Sequence, residues 1–452
     1  MKFHSTNYNS SEVDLKTAIL QGQALDNGLY MLNEIPKLSE RTLGSLKSFS
    51  FTDIASQILS QFIENLIPDK ILRKIIKDAF NFDVPVEKVA NNDYICYLDR
   101  GPTCSFKDFG ARMLARIMEY FLEEENKSAL ILTATSGDTG GAVAQAFFKM
   151  KSIKVVVLYP QNEVSILQRK QITTLGNNIS AIGIKGKFDD CQKLVKLAFS
   201  DQDLSYLNLS SANSINIGRL LPQILYYFWS YYRIIENYGE KVIFSVPSGN
   251  FGNLTGGLIA YKMGLPVEKF ISAVNENDEF PSFLITGSYS KLEPSKNCIS
   301  NAMNVGHPSN LARIIDMYGG RMDENGVINK VPSMETLRKD IISYSINDEL
   351  TRTTISNFYQ NYHKIIEPHG AVGWAALKLL RKNFPNFNSI KSIVFETAHP
   401  SKFSTEVISL TNQNPVLPKS LKVINESSEI RNPIGINTYQ DFKNYLIKNY
   451  GF

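Results

Sequence analysis

The sequence predicts an α/β protein whose strands form two parallel-rich open sheet lobes. From about residue 94 onward, apolar strand-like runs alternate with segments of helical periodicity, as over residues 128–134, 141–150 and 153–159. These strands are apolar along almost their whole length. That pattern is typical of parallel strands covered on both faces.

A chain of 452 residues is expected to form two or three domains. We expect a mostly helical N-terminal segment over residues 1–92, where residues 69–80 predict a helix. A first α/β lobe over residues 93–240 follows, and then a second lobe over residues 241–452. The two lobes can share strands.

Composition narrows the possible function classes. Net charge is only +4 and no dense Lys/Arg block occurs, so neither nucleic acid nor a membrane surface is favoured as a partner. No apolar run is long enough to span a bilayer, and the first residues lack an apolar signal core, so we expect a cytoplasmic protein. The four cysteines and five histidines show no metal-ligand spacing, so we expect no metal site.

The run GPTCSFKD at residues 101–108 places a lysine in an unusual position. Residues 94–98 predict a strand, and residues 108–121 have apolar side chains at helical spacing. Lys107 therefore falls at or just before a helix N-terminus, whose field should lower the pKa of its amine. Such an amine suits a Schiff base, although a solvent-exposed lysine at a helix start explains the segment equally well. We interpret nearby Cys104 as a small buried residue rather than a nucleophile.

A glycine-containing loop, PSGNFGN at residues 247–253, lies between a predicted strand (242–246) and a predicted helix (254–263). Glycines in such a turn let backbone amides approach a phosphate. The loop lacks the Lys-Ser/Thr ending of a P-loop and the three-glycine spacing of dinucleotide sites. It favours a site for one small phosphate monoester, with a simple tight turn as the alternative.

Two further loops are rich in hydrogen-bond donors. TSGDTGG at residues 135–141 joins a strand to a helix and could bind a carboxylate, or its side chains could merely cap the helix. Residues 211–219 open a predicted long helix over 215–238, and capping by Asn213 or Ser214 explains part of this segment. Helix capping does not explain Arg219, which suggests a second phosphate or acid site.

Other segments complete the predicted alternation. The aromatic cluster at residues 226–232 is interpreted as core packing inside the long helix, rather than as a base-stacking surface. Predicted helices cover residues 165–175, 188–199, 334–344, 350–362 and 370–382, and predicted strands cover 179–184 and 392–395.

Together these features suit an aldehyde-phosphate cofactor held by a lysine and acting on an acidic substrate. Six ordered segments then carry a resemblance: GPTCSFKDF, LTATSGDTGGAVA, SANSINIGR, SVPSGNFGNLTGG, EPHGAVG and TAHPSKF. In this order and spacing they closely resemble the threonine synthase family, in its longer branch. The resemblance covers essentially the whole chain.

The resemblance implies a fold type II, tryptophan synthase β-like enzyme that uses pyridoxal 5'-phosphate. It implies a carbon–oxygen lyase that converts O-phospho-L-homoserine and water to L-threonine and phosphate by γ-elimination and β-hydration, the last step of threonine biosynthesis. A monomer or homodimer is expected. A phospho-lyase that releases a keto acid, or a catalytically silent paralogue, are the alternatives, and retention of Lys107 argues against the second.

The resemblance also implies residue roles. Lys107 would hold the cofactor aldehyde, and Thr397 would hydrogen-bond the pyridine nitrogen. The cofactor phosphate would be bound by Gly249, Asn250, Phe251, Gly252 and Asn253. The substrate carboxylate would be received by Ser136, Gly137, Asp138 and Thr139, and the substrate phosphate by Ser214, Asn216 and Arg219.

Asp138 is an unusual member of that set. A carboxylate that faces the substrate carboxylate would repel it by several kcal/mol if the pair were poorly screened. We therefore expect Asp138 to cap the helix or to accept hydrogen bonds from loop amides, leaving Ser136 and Thr139 to contact the ligand.

Overall fold

A computed structural model describes residues 1–63, 65–135, 137–162, 164–430, 436 and 438–451. Its strands are β1 Phe3–Ser5, β2 Tyr30–Leu32, β3 Val86–Ala90, β4 Asp93–Tyr97, β5 Ala129–Ala134, β6 Ile153–Pro160, β7 Ile179–Ile184, β8 Leu209–Ser210, β9 Val242–Pro247, β10 Val267–Val274, β11 Arg321–Met322, β12 Ile328–Lys330, β13 Ile341–Ser345 and β14 Ser392–Glu396.

The helices surround these strands. They are α1 Leu15–Gln21, α2 Glu40–Ser45, α3 Phe51–Ile63, α4 Asp69–Ala79, α5 Lys107–Glu125, α6 Asp138–Phe147, α7 Ile166–Thr173, α8 Phe188–Ser200, α9 Ile217–Leu220, α10 Leu225–Ile234, α11 Gly252–Lys262, α12 Glu279–Thr286, α13 Leu311–Met317, α14 Met334–Asp340, α15 Asp348–Tyr362, α16 Pro368–Asn383, α17 Ser404–Thr411, α18 Lys419–Glu426 and α19 Tyr439–Tyr450. Among the described residues, no helix is both long and apolar enough to cross a bilayer.

Two sheets form the centre of the fold, as predicted. A six-stranded sheet has the order β13-β10-β9-β14-β4-β3, and every neighbouring pair in it is parallel except β3 with β4. A four-stranded sheet has the order β7-β6-β5-β8 and is parallel throughout. The six-stranded sheet takes β3 and β4 from the first hundred residues of the chain.

The predicted long helix over residues 215–238 is wrong. The structure has the short helix α9, a 3-10 turn over Leu221–Ile224, and then α10, which ends at Ile234. Pro222 lies in the 3-10 turn, and proline has no amide hydrogen to continue an α-helical ladder. The aromatic cluster of α10 does pack in the core, where Tyr226 and Tyr227 contact the ring of Phe395.

The predicted helix over residues 334–344 is also wrong in its second half. Helix α14 ends at Asp340, and the next five residues form β13, which pairs with β10 at the edge of the sheet. Strand β10 itself was not predicted from the sequence. Cross-strand pairing decides such short segments, and a single-segment pattern does not contain it.

The fold brings four strand ends to one place. Strands β4, β9 and β14 are neighbours in the six-stranded sheet, and β5 lies inside the four-stranded sheet. In parallel sheets, ligands bind beyond the carboxyl ends of the strands. The loops that follow these four strands carry Lys107, Asp138, Asn250 and Thr397, whereas Arg219 follows β8 of the four-stranded sheet.

Candidate active site

Lys107 is the first residue of α5, as predicted. The segment that precedes it pairs with the segment that follows β14. The amide of Phe106 donates to the carbonyl of Thr397 at 2.9 Å, and the amide of His399 donates to the carbonyl of Cys104 at 3.1 Å. This antiparallel pairing places Lys107 beside the Thr397 loop, although the two segments are almost 300 residues apart in sequence.

The Lys107 amine has the shifted pKa expected from the sequence, but the principal cause differs. The pKa is lowered to about 8, mainly by burial; Asp138 opposes the shift, and the charges of Lys402 and Arg219 add to it. The sequence predicted the shift from the field of the helix terminus alone. Desolvation disfavours the ammonium form, and two nearby cations repel it.

Among the described residues, no backbone amide donates to the Asp138 carboxylate, so neither the expected helix cap nor the expected bonds from loop amides are found there. Its carboxylate accepts a hydrogen bond from the Lys402 ammonium, with Nζ 2.9 Å from Oδ1, and a longer one from Gln168 at 3.4 Å. The capping role belongs to Thr135, whose Oγ1 accepts from the amides of Gly137 and Gly140 at 3.1 and 2.8 Å. Asp138 is the first residue of α6 and lies inside the protein with Lys402.

The Asp138–Lys402 pair is buried on both sides. The two side chains are 3% and 1% exposed, respectively. Burial alone would raise the pKa of Asp138, but the charges of Lys402 and Lys107 hold it well below its ordinary value. We call Lys107, Asp138, Arg219 and Lys402 the charged centre.

The predicted phosphate loop, residues 248–253, joins β9 to α11. Its backbone is fixed where the Ser248 amide donates to the carbonyl of Ala273 at 2.8 Å, and Phe251 adopts a left-handed conformation with φ of 62°. Because α11 begins at Gly252, the amides of its first turn have no acceptor within the helix. The loop therefore presents free donors at a helix N-terminus, as a phosphate site requires.

The side chain of Asn253 fixes this loop to helix α10. Its Oδ1 accepts hydrogen bonds from the hydroxyls of Tyr226 and Tyr227, both at 2.8 Å. Its Nδ2 is buried and has no hydrogen-bond partner among the described residues. A buried donor left without an acceptor is costly, so this amide fits a site that receives an anion such as the cofactor phosphate.

The predicted substrate-phosphate residues divide into two kinds. The side chain of Asn216 makes its hydrogen bonds within the protein. Its Oδ1 accepts from the amide of Gly218 and so caps α9, and its Nδ2 donates to the carbonyls of Ile19 and Ser211. Arg219 is 4% exposed and donates to the carbonyl of Ala212, yet its Nε has no hydrogen-bond partner in the part of the chain that the structure describes. Ser214 is half-buried. Donors for a ligand thus remain on Arg219 and Ser214.

Arg313 was not identified from the sequence, yet it supports this cluster. It is fully buried on α13 and donates to the backbone carbonyls of Tyr30, Ser214 and Ile215 at 2.9, 3.4 and 2.6 Å. It therefore ties the cluster to β2 in the N-terminal segment. A lone arginine in a weakly patterned stretch carries no local signal for such a role.

Thr397 follows β14 and is 5% exposed. Its hydroxyl donates to Glu367 at 3.4 Å, and the same carboxylate accepts from His369 Nδ1 at 2.5 Å. His369 Nε2 accepts from the amide of Ala302, in a turn that packs against Gly249. The segment around Thr397 is thus connected to the phosphate loop through buried hydrogen bonds.

The structure brings together most of the residues predicted for the site. Lys107, Asp138 and Arg219 interact electrostatically, and Thr397 lies next to the Lys107 segment. Thr139 lies half-buried in the first turn of α6. Ser136 lies outside the described residues. Lys402 belongs to the TAHPSKF segment, but nothing in the local sequence assigned it a role.

Comparison with known proteins identifies the family. The pyridoxal-phosphate dependent enzyme family matches residues 88–395, and the threonine synthase N-terminal and C-terminal families match residues 2–80 and 370–444. The threonine synthase of Buchnera aphidicola subsp. Schizaphis graminum is 39% identical over 428 residues, covering 93% of this chain and 94% of that protein. The chain belongs to the threonine synthase family.

Solved structures of this family have the same fold. The threonine synthase of Escherichia coli superposes with a TM-score of 0.87 at 35% identity, covering 99% of this chain and 100% of that one. The pyridoxal-phosphate-bound threonine synthase of Brucella melitensis gives a TM-score of 0.93 at 30% identity, covering 100% and 99%. The predicted family, fold type II architecture, cofactor and lyase class are confirmed, and so is the threonine synthase function.

Proposed function

We propose that this chain converts O-phospho-L-homoserine and water to L-threonine and phosphate, with Lys107 as the residue that holds the cofactor and moves protons at the substrate. One observation carries the assignment to Lys107. Of the two lysines in the charged centre, Lys402 is ion-paired with Asp138, whereas Lys107 forms no ion pair with any described residue. Only a neutral amine attacks an aldehyde, and a pKa of about 8 makes that form accessible to Lys107.

Residues of the phosphate loop supply the cofactor's anchor. We assign the cofactor phosphate to the backbone of residues 249–253 and to the unpartnered Nδ2 of Asn253. Thr397, which follows β14, is assigned to the pyridine nitrogen. Contacts from the segments that follow two neighbouring strands, β9 and β14, would fix the ring relative to Lys107.

The substrate's two anionic groups are assigned to two different segments near Lys107. The carboxylate is assigned to the loop formed by Ser136, Gly137 and Thr139, where α6 begins. The phosphate is assigned to Arg219 and Ser214, with Asn216 holding their segment in position through its backbone contacts. Phosphate then departs from Cγ next to a buried cation, which stabilises the negative charge that it carries away.

Lys107 carries the proton chemistry. When bound, pyridoxal phosphate delocalises the negative charge that develops at the substrate's Cα. With the substrate bound, the Lys107 amine would lie beside Cα and take its proton. Its lowered pKa keeps the neutral, basic form available near neutral pH. Burial of Asp138 and Lys402 keeps their charges unscreened around this step.

Chemical labelling tests the assignment. Borohydride reduction of the cofactor-loaded enzyme, followed by peptide mass spectrometry, is expected to leave the label on Lys107. A Lys107→Ala variant should show neither label nor the cofactor's bound absorption band, whereas Lys402→Met, the matched lysine in the same centre, should keep the label. A label on Lys402, or on no residue, would refute the proposal. Release of 2-oxobutyrate instead of threonine would identify the phospho-lyase alternative.

A further inference from the structure

Lys402 is the one cation of the charged centre to which the proposed function gives no task. It lies in a 3-10 turn over Pro400–Phe403, directly after β14. Its side chain is 1% exposed, and its Nζ is 2.9 Å from Asp138 Oδ1. A lysine is rarely this deeply buried without a specific partner or a function.

The ion pair joins segments that follow strands of the two different sheets. Lys402 follows a strand of the six-stranded sheet, and Asp138 follows β5 of the four-stranded sheet. Asp138 is also the first residue of α6, so the ammonium of Lys402 lies at the end of the loop assigned to the substrate carboxylate. The pair therefore lies within the proposed substrate site rather than in a distant part of the core.

Several charged groups surround this point. Within the charged centre, Lys402 and Arg219 repel the Lys107 ammonium, and Asp138 is the carboxylate that opposes them. Two further buried carboxylates, Asp108 and Asp99, also interact electrostatically with Lys402. What the Lys402 ammonium offers a ligand is therefore its hydrogen-bond donors.

The ammonium of Lys402 also has unused hydrogen-bonding capacity. An ammonium carries three N–H donors, and Asp138 is the only described side chain to which Lys402 donates. Asp138 fixes where the ammonium lies, and the remaining donors can serve a ligand at the beginning of α6. A lysine between two carboxylates also removes the repulsion that Asp138 would otherwise exert on a substrate carboxylate.

We propose that Lys402 is a substrate-binding residue that donates to the α-carboxylate of the amino-acid substrate, with Asp138 as the residue that positions it. This inference rests on the proposed function, because it takes the substrate to be an amino acid with a free carboxylate. Arg219, on the α9 side of α5, is left to the phosphate. Two different buried cations would thus bind the two anionic ends of the substrate.

The test separates binding from a purely structural ion pair. A double variant, Lys402→Met with Asp138→Asn, removes both charges and leaves no unpaired charge in the interior. Borohydride labelling of Lys107 in this variant first shows that the fold and the cofactor site are intact. If wild-type enzyme failed that labelling, the proposed function would fail, independently of Lys402.

Two ligands then separate the two anionic ends. L-Threonine has the carboxylate without a phosphate, and 3-aminopropyl phosphate has the phosphate without a carboxylate. Measured by titration of the cofactor absorbance, the double variant should bind L-threonine roughly 10- to 100-fold more weakly than wild type, the ratio for a lost hydrogen bond to a charged group. Its affinity for 3-aminopropyl phosphate should be unchanged.

Other results overturn the proposal. Unchanged affinity for L-threonine would make the ion pair purely structural, and an equal loss for both ligands would indicate general damage to the site. A loss confined to 3-aminopropyl phosphate would assign Lys402 to the phosphate instead. The single Asp138→Asn variant keeps the ammonium and should bind L-threonine more tightly than the double variant. If the two bind equally weakly, the effect belongs to Asp138.

Discussion

The phosphate loop and the charged centre lie next to each other but are built in different ways. The loop is a continuous stretch of chain, fixed by hydrogen bonds between neutral groups such as the tyrosine hydroxyls on Asn253. The charged centre takes its four ionic side chains from four separate segments and buries them together. The charges of this centre shift the pKa values of Lys107 and Asp138, whereas the loop depends on shape and on free amide donors.

This difference predicts where substitutions have large effects. Removing one member of the charged centre leaves its partners buried and unbalanced, which costs more than the loss of one neutral hydrogen bond. Changes in the loop should instead act through backbone geometry. The following experiments test that distinction, beginning with the largest expected effect.

Arg219→Met should have the largest effect. Removal of the guanidinium would take a buried cation away from the substrate phosphate. The resulting fall in kcat/KM should correspond to a loss of about 2–5 kcal/mol of transition-state stabilisation. The bound-cofactor absorbance should remain. Steady-state kinetics with O-phospho-L-homoserine measures the loss.

The matched control is Arg112→Met. Arg112 is also a buried arginine that donates to backbone carbonyls, those of Asp78 and Ala79, but it does so away from the charged centre. The Arg112→Met substitution should lower the stability of the fold without changing kcat/KM. If Arg219→Met behaved in the same way, the arginine would be structural and its proposed role would be wrong.

The second prediction concerns the pH at which the apoenzyme captures the cofactor. The neutral amine reacts, and its fraction rises as the pH increases through the pKa, so the capture rate should have a midpoint at about pH 8 instead of near 10.5. Asp138→Asn removes the charge that opposes the shift and should move the midpoint to lower pH. Lys402→Met should move it higher. Stopped-flow absorbance follows the capture, and a wild-type midpoint near 10.5 would contradict the burial of this amine.

Gly249→Ala tests the loop's backbone. A Cβ there would lie 2.9 Å from the carbonyl oxygen of Ala302 and from Cα of Met303, so the turn must move. We expect weaker cofactor binding by about 1–3 kcal/mol, measured by equilibrium titration. Gly44→Ala is the control, because nothing lies within 4 Å of its Cβ position in α2. That variant should bind cofactor normally, and equal weakening in both would rule out the steric explanation.

Tyr227→Phe should have the smallest effect. It removes one of the two hydroxyls that hold Asn253, while Tyr226 keeps the other, so cofactor affinity should fall by about 0.5–1.5 kcal/mol. Tyr232→Phe loses a comparable buried bond, to the carbonyl of Leu43, on the same helix. The Tyr232→Phe substitution should lower only the thermal stability and leave cofactor affinity unchanged. A larger loss of cofactor affinity in Tyr232→Phe than in Tyr227→Phe would contradict the anchoring role.

Several features were predictable from the sequence because each has a local cause. The parallel strands are apolar on both faces, and the phosphate loop is marked by glycines between a strand and a helix. The start of α5 at Lys107 follows from apolar periodicity. The predictions of secondary structure were wrong where pairing with a distant segment decides the conformation. Residues 341–345, for example, form a strand because they pair with β10.

The sequence by itself determined the family, the α/β class with parallel strands, and which lysine begins α5. Only the tertiary structure decided the state of that lysine and the partner of Asp138. Lys402 is 264 residues from Asp138 in the chain, and no local pattern relates them. The physical reason is that a buried charge depends on every group that surrounds it, and chain folding, not chain order, sets those distances.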